Sequence, residues 1–181
     1  MIPVYYTQRD NTRGQASRSC FSACCAMVVA TYRRDQGKTA QAEDPNWDDE
    51  YLKRVNVYGD STDSGAQIQA LKYYGLDAKM RVDCDFAVMS EWIRAGELWP
   101  CGMLHHGHVS KPSGGGHYVL PYELLATSLM VHDPFGEQDL VNGGFIPASG
   151  KSVLYSRKNF GPRWMVGGGK TGWALRIRRP S

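Results

Sequence analysis

The sequence predicts an α+β fold: an N-terminal helical layer packed on a C-terminal antiparallel sheet. Three observations predict it. Apolar residues at helical spacing concentrate before residue 96, in segments that Gly75 and Gly96 close. Short apolar runs separated by glycine-rich turns fill the chain after residue 100. Helices first and strands afterwards stack one layer on the other, where alternation would have built a parallel sheet.

Residues 15 to 34 form the first predicted helix, with Ser17 or Ser19 as its cap and Ala23, Met27, Ala30 and Thr31 as its apolar stripe. Residues 35 to 46 are polar and read as loop. Trp47 to Val57 reads as a short amphipathic helix, with acids in its first turn and Lys53 and Arg54 later, the order the helix dipole favours. Ser64 to Tyr74 follows, with Ala66, Ile68, Leu71 and Tyr74 inward and Gly75 as its stop. Asp85 to Ala95 is the next helix. Strands are expected at Leu76 to Val82, Pro100 to His105, His117 to Tyr122, Ser128 to His132, Lys151 to Tyr155 and Gly172 to Arg178. Turns are expected at Ser113 to Gly116, Asn142 to Gly144 and Gly167 to Gly169.

The chain has 181 residues, 42% apolar and 22% charged, which suits one globular domain over 1–181. No apolar run approaches the roughly 20 residues that span a bilayer. Met1 to Tyr6 carries no charged region and no apolar signal core. These features predict a soluble protein made in a cytoplasm, without integral membrane association, reaching a cell wall only by lysis or dedicated export. The net charge is +3, too weak for a nucleic-acid partner. Its cations lean to the C-terminal end (Arg157, Lys158, Arg163, Lys170, Arg176, Arg178, Arg179), as a solvated face or one weakly drawn to a polyanion such as a cell wall. Five cysteines, an odd number with no CxxC pair, argue against a disulfide framework and a zinc ribbon.

One of those cysteines is placed for chemistry. Cys20 lies near the predicted start of the long helix, where unpaired N–H groups and the positive dipole end stabilise a thiolate. The plain alternative is a small buried hydrophobe, the reading given to Cys24, Cys25, Cys84 and Cys101. A thiol nucleophile needs a histidine to share its proton. His117 follows Gly114-Gly115-Gly116 and opens Tyr118-Val119-Leu120, at a strand start. A base needs an acceptor to orient it, and Asp133 ends the strand after His117. If the two strands form a hairpin, His117 and Asp133 share its open end. Gln8, upstream, has the side-chain amide to help the Cys20 N–H hold an oxyanion.

Gln8 before a cysteine-led helix, Cys20 with Ala26-Met27 after it, Gly116-His117 and Asp133-Pro134 together resemble the C39-like peptidases of the papain-like superfamily. The likeness runs from Pro3 to about Gly136, and its specific parts are the Cys-His-Asp order and the sixteen-residue step from His117 to Asp133. Two departures stand out. Gln8 lies further from Cys20 than the family's usual gap, which an insertion over Thr12 to Arg18 accounts for, with Gln15 as a closer glutamine lacking the flanking pattern. Phe21 stands where the family usually has glycine. The resemblance implies a papain-like fold and thiol-dependent acyl transfer. Cys20 is implied as nucleophile, His117 as acid and base, Asp133 as the residue holding the imidazole tautomer, and Gln8 as the carbonyl polariser. It points further to a lysin-type member, such as a bacteriophage endolysin, cleaving the peptide part of peptidoglycan, without cofactor or metal and as a monomer. Alternatives are an inert binding module of the same fold and an acyl transferase. A metal site at His105, His106 and His108 lacks a well-spaced carboxylate or cysteine, and Asp139 to Gly144 lacks the spaced acids of a calcium loop.

Overall fold

The computed structural model describes residues 1–11 and 14–179. Helix α1, Cys20–Asp35, begins five residues later than the spacing predicts, because Gly14 to Arg18 form turns. Its side chains are buried without a break from Cys20 to Tyr32, so the expected apolar stripe is an all-round apolar surface. That is the pattern of a central helix, packed on every side. The polar segment that follows holds a one-turn helix, α2 (Ala40–Glu43), where loop was expected. Helices α3 (Trp47–Tyr58) and α4 (Ser64–Tyr73) match their predicted spans to within a residue. Asp85, expected inside the next helix, instead caps α5 (Phe86–Arg94) by accepting the Ala87 and Val88 N–H groups. Helix α6 (Arg157–Trp164) was not expected, since Gly161 and Pro162 disfavour a helix interior. Ser156 caps it, and buried Phe160 and Trp164 hold it by tertiary packing.

The strands are β1 (Ala78–Cys84), β2 (Cys101–His106), β3 (Ser113–Leu124), β4 (Ser128–His132), β5 (Val153–Ser156) and β6 (Gly172–Ile177). They form one sheet in the order β1-β6-β2-β3-β4-β5, with every neighbouring pair antiparallel. Ser113 to Gly116, expected as a turn, is the first part of β3, with Leu104 opposite Gly116 and Met103 opposite His117. Glycine is required there: Gly114 has φ +94°, and a Cβ on it would lie 2.4 Å from the His106 ring.

Alternation along the strands splits the core in two. On one face α1, α3 and α4 pack with Leu120, Tyr122, Leu175 and Ile177. On the other, α5 and α6 pack with Cys101, Met103, Val119, Val131, Tyr155 and Ala174. The expected helical layer covers the first face, and α5 and α6 supply a second layer. Among the described residues no helix is long and apolar enough to cross a membrane.

Candidate active site

Ser19 occupies the N-cap position of α1, but its hydroxyl does not cap the helix. It accepts instead from Asn11 Nδ2 (2.8 Å), a buried bond that ties the N-terminal segment to the helix start. Cys20 is therefore the first helical residue, and helix geometry leaves its N–H without an intrahelical acceptor. The first turn is pinned to the strand that carries His117. Phe21 stacks face to face on Tyr118, ring centroids 3.8 Å apart, and Cys24 Sγ donates to the Tyr118 carbonyl (3.4 Å). The side chain that departs from the family pattern is thus spent on docking α1 beside His117.

The β3–β4 register pairs Leu120 with His132, which brings His117 and Asp133 to one end, as the hairpin argument expects. Both are buried, and His117 Nε2–H donates to Asp133 Oδ1 at 2.7 Å. That bond fixes the tautomer and leaves Nδ1 for the thiol. Cys20 acts on the ring both as hydrogen-bond partner and as charge. Burial works against the imidazolium, but Asp133 and Cys20 together outweigh it and raise the His117 pKa to about 10. The other four thiols are fully buried, which pushes each above its usual range. Cys20 alone keeps some exposure, 9%.

Asp133 is held from several sides. Oδ1 also accepts the Phe135 N–H (3.1 Å), and Oδ2 accepts the Tyr155 hydroxyl (2.8 Å). That hydroxyl in turn accepts the Gln138 N–H (2.7 Å). The Asp133 N–H donates to the Gly150 carbonyl (2.8 Å). The backbones approach so closely that a Cβ on Gly150 would lie 1.8 Å from the Asp133 carbonyl oxygen. Tyr155 was not singled out from the sequence. Its strand was foreseen, but only the fold shows where its hydroxyl ends.

Gln8 lies buried in a 3-10 turn (Gln8–Asp10), its N–H donating to the Pro134 carbonyl at 2.9 Å. Its Nε2 donates to the Ala16 carbonyl (2.6 Å), which leaves the second amide N–H free of any described partner. Gln15 is half-buried in the turn before α1, with its carbonyl accepting the Arg18 N–H (2.9 Å). Of the inferred insertion, Thr12 and Arg13 lie outside the described residues.

The His105 and His106 rings lie 4.0 Å apart, but no third ligand joins them among the described residues. His105 Nδ1–H donates to the Gly115 carbonyl (2.6 Å), and its ring sits 5.9 Å from that of His117. His108 Nδ1 bonds the Ser110 hydroxyl (2.9 Å). Asp139 Oδ1 accepts the Val141 and Asn142 N–H groups (both 2.9 Å), so its carboxylate holds a turn. Among the described residues no three His, Cys, Asp or Glu side chains are grouped to hold a metal.

No protein-family model matches the sequence, and no curated protein matches it. Solved structures do. A protein from Bacillus anthracis described as a C39-like peptidase superposes with a TM-score of 0.61 at 14% identity, over 98% of this chain and 96% of that one. The peptidase domain of Streptococcus ComA, a bifunctional ABC transporter of a quorum-sensing pathway, gives 0.49 at 19% identity, over 87% and 91%. The Pseudomonas avirulence protein AvrPphB gives 0.45 at 8%, over 91% and 93%. The first likeness spans both chains almost end to end, and the fold is that of a C39-like peptidase.

Proposed function

We propose that this protein is a cysteine peptidase that hydrolyses amide bonds with Cys20, His117 and Asp133, and that its substrate is the peptide part of bacterial peptidoglycan. The observation that carries the peptidase reading is the buried His117–Asp133 bond of 2.7 Å, with the thiol of a helix-starting cysteine on the same ring. His117, held by Asp133, takes the thiol proton as attack begins, and Asp133 stabilises the imidazolium so formed. Cys20 Sγ attacks the carbonyl carbon. The oxyanion is met by the Cys20 N–H and the free Gln8 amide N–H, each such donor being worth roughly 2–4 kcal/mol in the transition state. His117 gives its proton to the leaving amine, and the C–N bond breaks to leave a thioester. The neutral ring then takes a proton from water, which attacks the thioester, and the acid product leaves as the ring returns that proton to the sulfur. Asp133 holds the tautomer throughout.

The substrate reading draws on the resemblance to lysin-type members and on a net charge of +3, a favourable sign against a polyanionic wall. Purified peptidoglycan incubated with wild type and Cys20→Ala tests both parts. The expected outcome is release of peptide-cleaved fragments by wild type alone, with a loss of at least about a thousandfold in the variant. Cleavage of a general peptide substrate with sacculi left intact would overturn the wall reading and spare the peptidase.

A further inference from the structure

A pocket of about 390 Å³ opens beside the site, lined by Tyr5, Thr7, Arg9, Phe135, Pro147 and Ser149 among others. It shares walls with the catalytic constellation. Thr7 and Arg9 bracket Gln8 in sequence, and the Thr7 hydroxyl donates to the Pro134 carbonyl (3.1 Å). Phe135 donates its N–H to Asp133 and packs its ring on Phe145 (4.5 Å), which in turn meets His117 edge-on (5.2 Å).

The sign of the pocket is set by Arg9. Six other arginines (Arg18, Arg34, Arg81, Arg176, Arg178, Arg179) are paired with carboxylates, Arg163 is spent on carbonyls, and Arg33, Arg54 and Arg157 lie over rings elsewhere; Arg9 is the arginine that lines this pocket. Arg9 has no carboxylate partner among the described residues. Its guanidinium lies over the Phe135 ring, 5.6 Å from the centroid, a contact that orients the group without neutralising it. The Ser149 hydroxyl accepts the Lys151 N–H (3.2 Å) and bonds the Tyr5 hydroxyl, so it closes the pocket wall. The nearest acid in sequence, Asp10, couples to Asp48 and Asp49 and does not line the pocket. The planar fork of Arg9 matches the two oxygens of a carboxylate.

We propose that this pocket is a carboxylate subsite: a peptide seated on Cys20 places an acidic side chain or a free terminal carboxylate against Arg9. The assignment rests on the peptidase reading for its meaning and narrows the substrate to acidic peptides. Its charge preference is measurable without turnover. Cys20 is the one partly exposed thiol, so it reports by itself. The probes are the dianionic aryl disulfide dithiobis(nitrobenzoate) and its uncharged bis-carboxamide analogue, each reacted with wild type, Arg9→Gln and Arg9→Glu at low salt. Free cysteine provides the reference for the ratio of the two rates. Wild type is expected to exceed that reference by about fivefold, the size of one partly solvated ion pair. Arg9→Gln returns the ratio to the reference, and Arg9→Glu takes it below. A wild-type ratio at the reference, or one unmoved by Arg9→Glu, overturns the subsite. The two proposals fail separately. A thiol that reacts no faster than free cysteine at mildly acid pH counts against the peptidase, while the charge ratio is still read on the same protein.

Discussion

A single hydroxyl joins two loops to the candidate site. Tyr155 hands a proton to Asp133 Oδ2 and takes one from the Gln138 N–H, all out of solvent. Tyr155→Phe keeps the ring and its packing but leaves one buried acceptor and one buried donor unpaired, at about 1–3 kcal/mol each. Thermal unfolding is expected to show that loss. Alkylation of Cys20 followed against pH separates a positioning role from a structural one. Looser hold on Asp133 weakens the imidazolium, and the thiolate limb moves to higher pH. A variant that is less stable yet keeps the wild-type profile would show that Tyr155 serves the fold alone. Gly150 belongs to the same scale, since any side chain there displaces the Asp133 carbonyl.

Helix α6 does for the loops what Tyr155 does for one carboxylate. Its Arg163 is fully buried and donates to the carbonyls of Leu140 (2.8 Å), Leu104 (3.0 Å), His106 (3.1 Å) and Gly107 (2.7 Å). Burial disfavours its charge, and Asp139 supports it. The carbonyls belong to the end of β2, which carries His105 toward His117, and to the turn that Asp139 caps. Arg163→Met fills the volume and orphans those carbonyls, so a loss of at least about 3 kcal/mol is expected. Limited proteolysis should find new cuts within 104–110 and 139–145, and unchanged protection there would count against the bracing role. On the opposite face of the sheet, α1 owes its position to Phe21 on Tyr118, a contact between residues 97 apart in the chain.

Across the whole molecule, three buried groups set opposite pH slopes. His132 donates Nε2–H to the Pro3 carbonyl (3.1 Å) and accepts the Ser152 N–H (3.0 Å), so burial holds it neutral, its pKa lowered from 6.5 to about 4. A lowered pKa means the unfolded chain takes the proton first. Its contribution is present above about 6.5 and lost as pH falls toward 4. Asp48 is the reverse: burial first, then the charges of Asp10 and Asp49, raises its pKa from 3.8 to about 7. Its contribution is complete below 3.8 and disappears as pH rises through 7. His117, raised from 6.5 to about 10, contributes below 6.5 and loses that contribution as pH climbs through 10. Asp48→Asn is isosteric and cannot ionise. Its melting temperature is expected to match wild type below about pH 3.8, to exceed it increasingly as pH rises toward 7, and to keep a constant lead above that. A constant offset at every pH would show that Asp48 is not the group responsible.

Local chemistry made much of this legible in the sequence. The apolar spacing, the stop glycines and the strand periodicity placed most elements, and the step from His117 to Asp133 placed two candidate residues at one hairpin end. These signals act between residues close in the chain, or follow from strand geometry alone. Others were beyond reach for a physical reason. The true start of α1, the strand made from Ser113 to Gly116 and the helix through Gly161-Pro162 are all outcomes in which distant packing outweighs local preference. Tyr155 on Asp133, Arg163 on its carbonyls and Arg9 on Phe135 each join segments more than twenty residues apart. Only a closed chain brings such partners within hydrogen-bonding or ring-contact range.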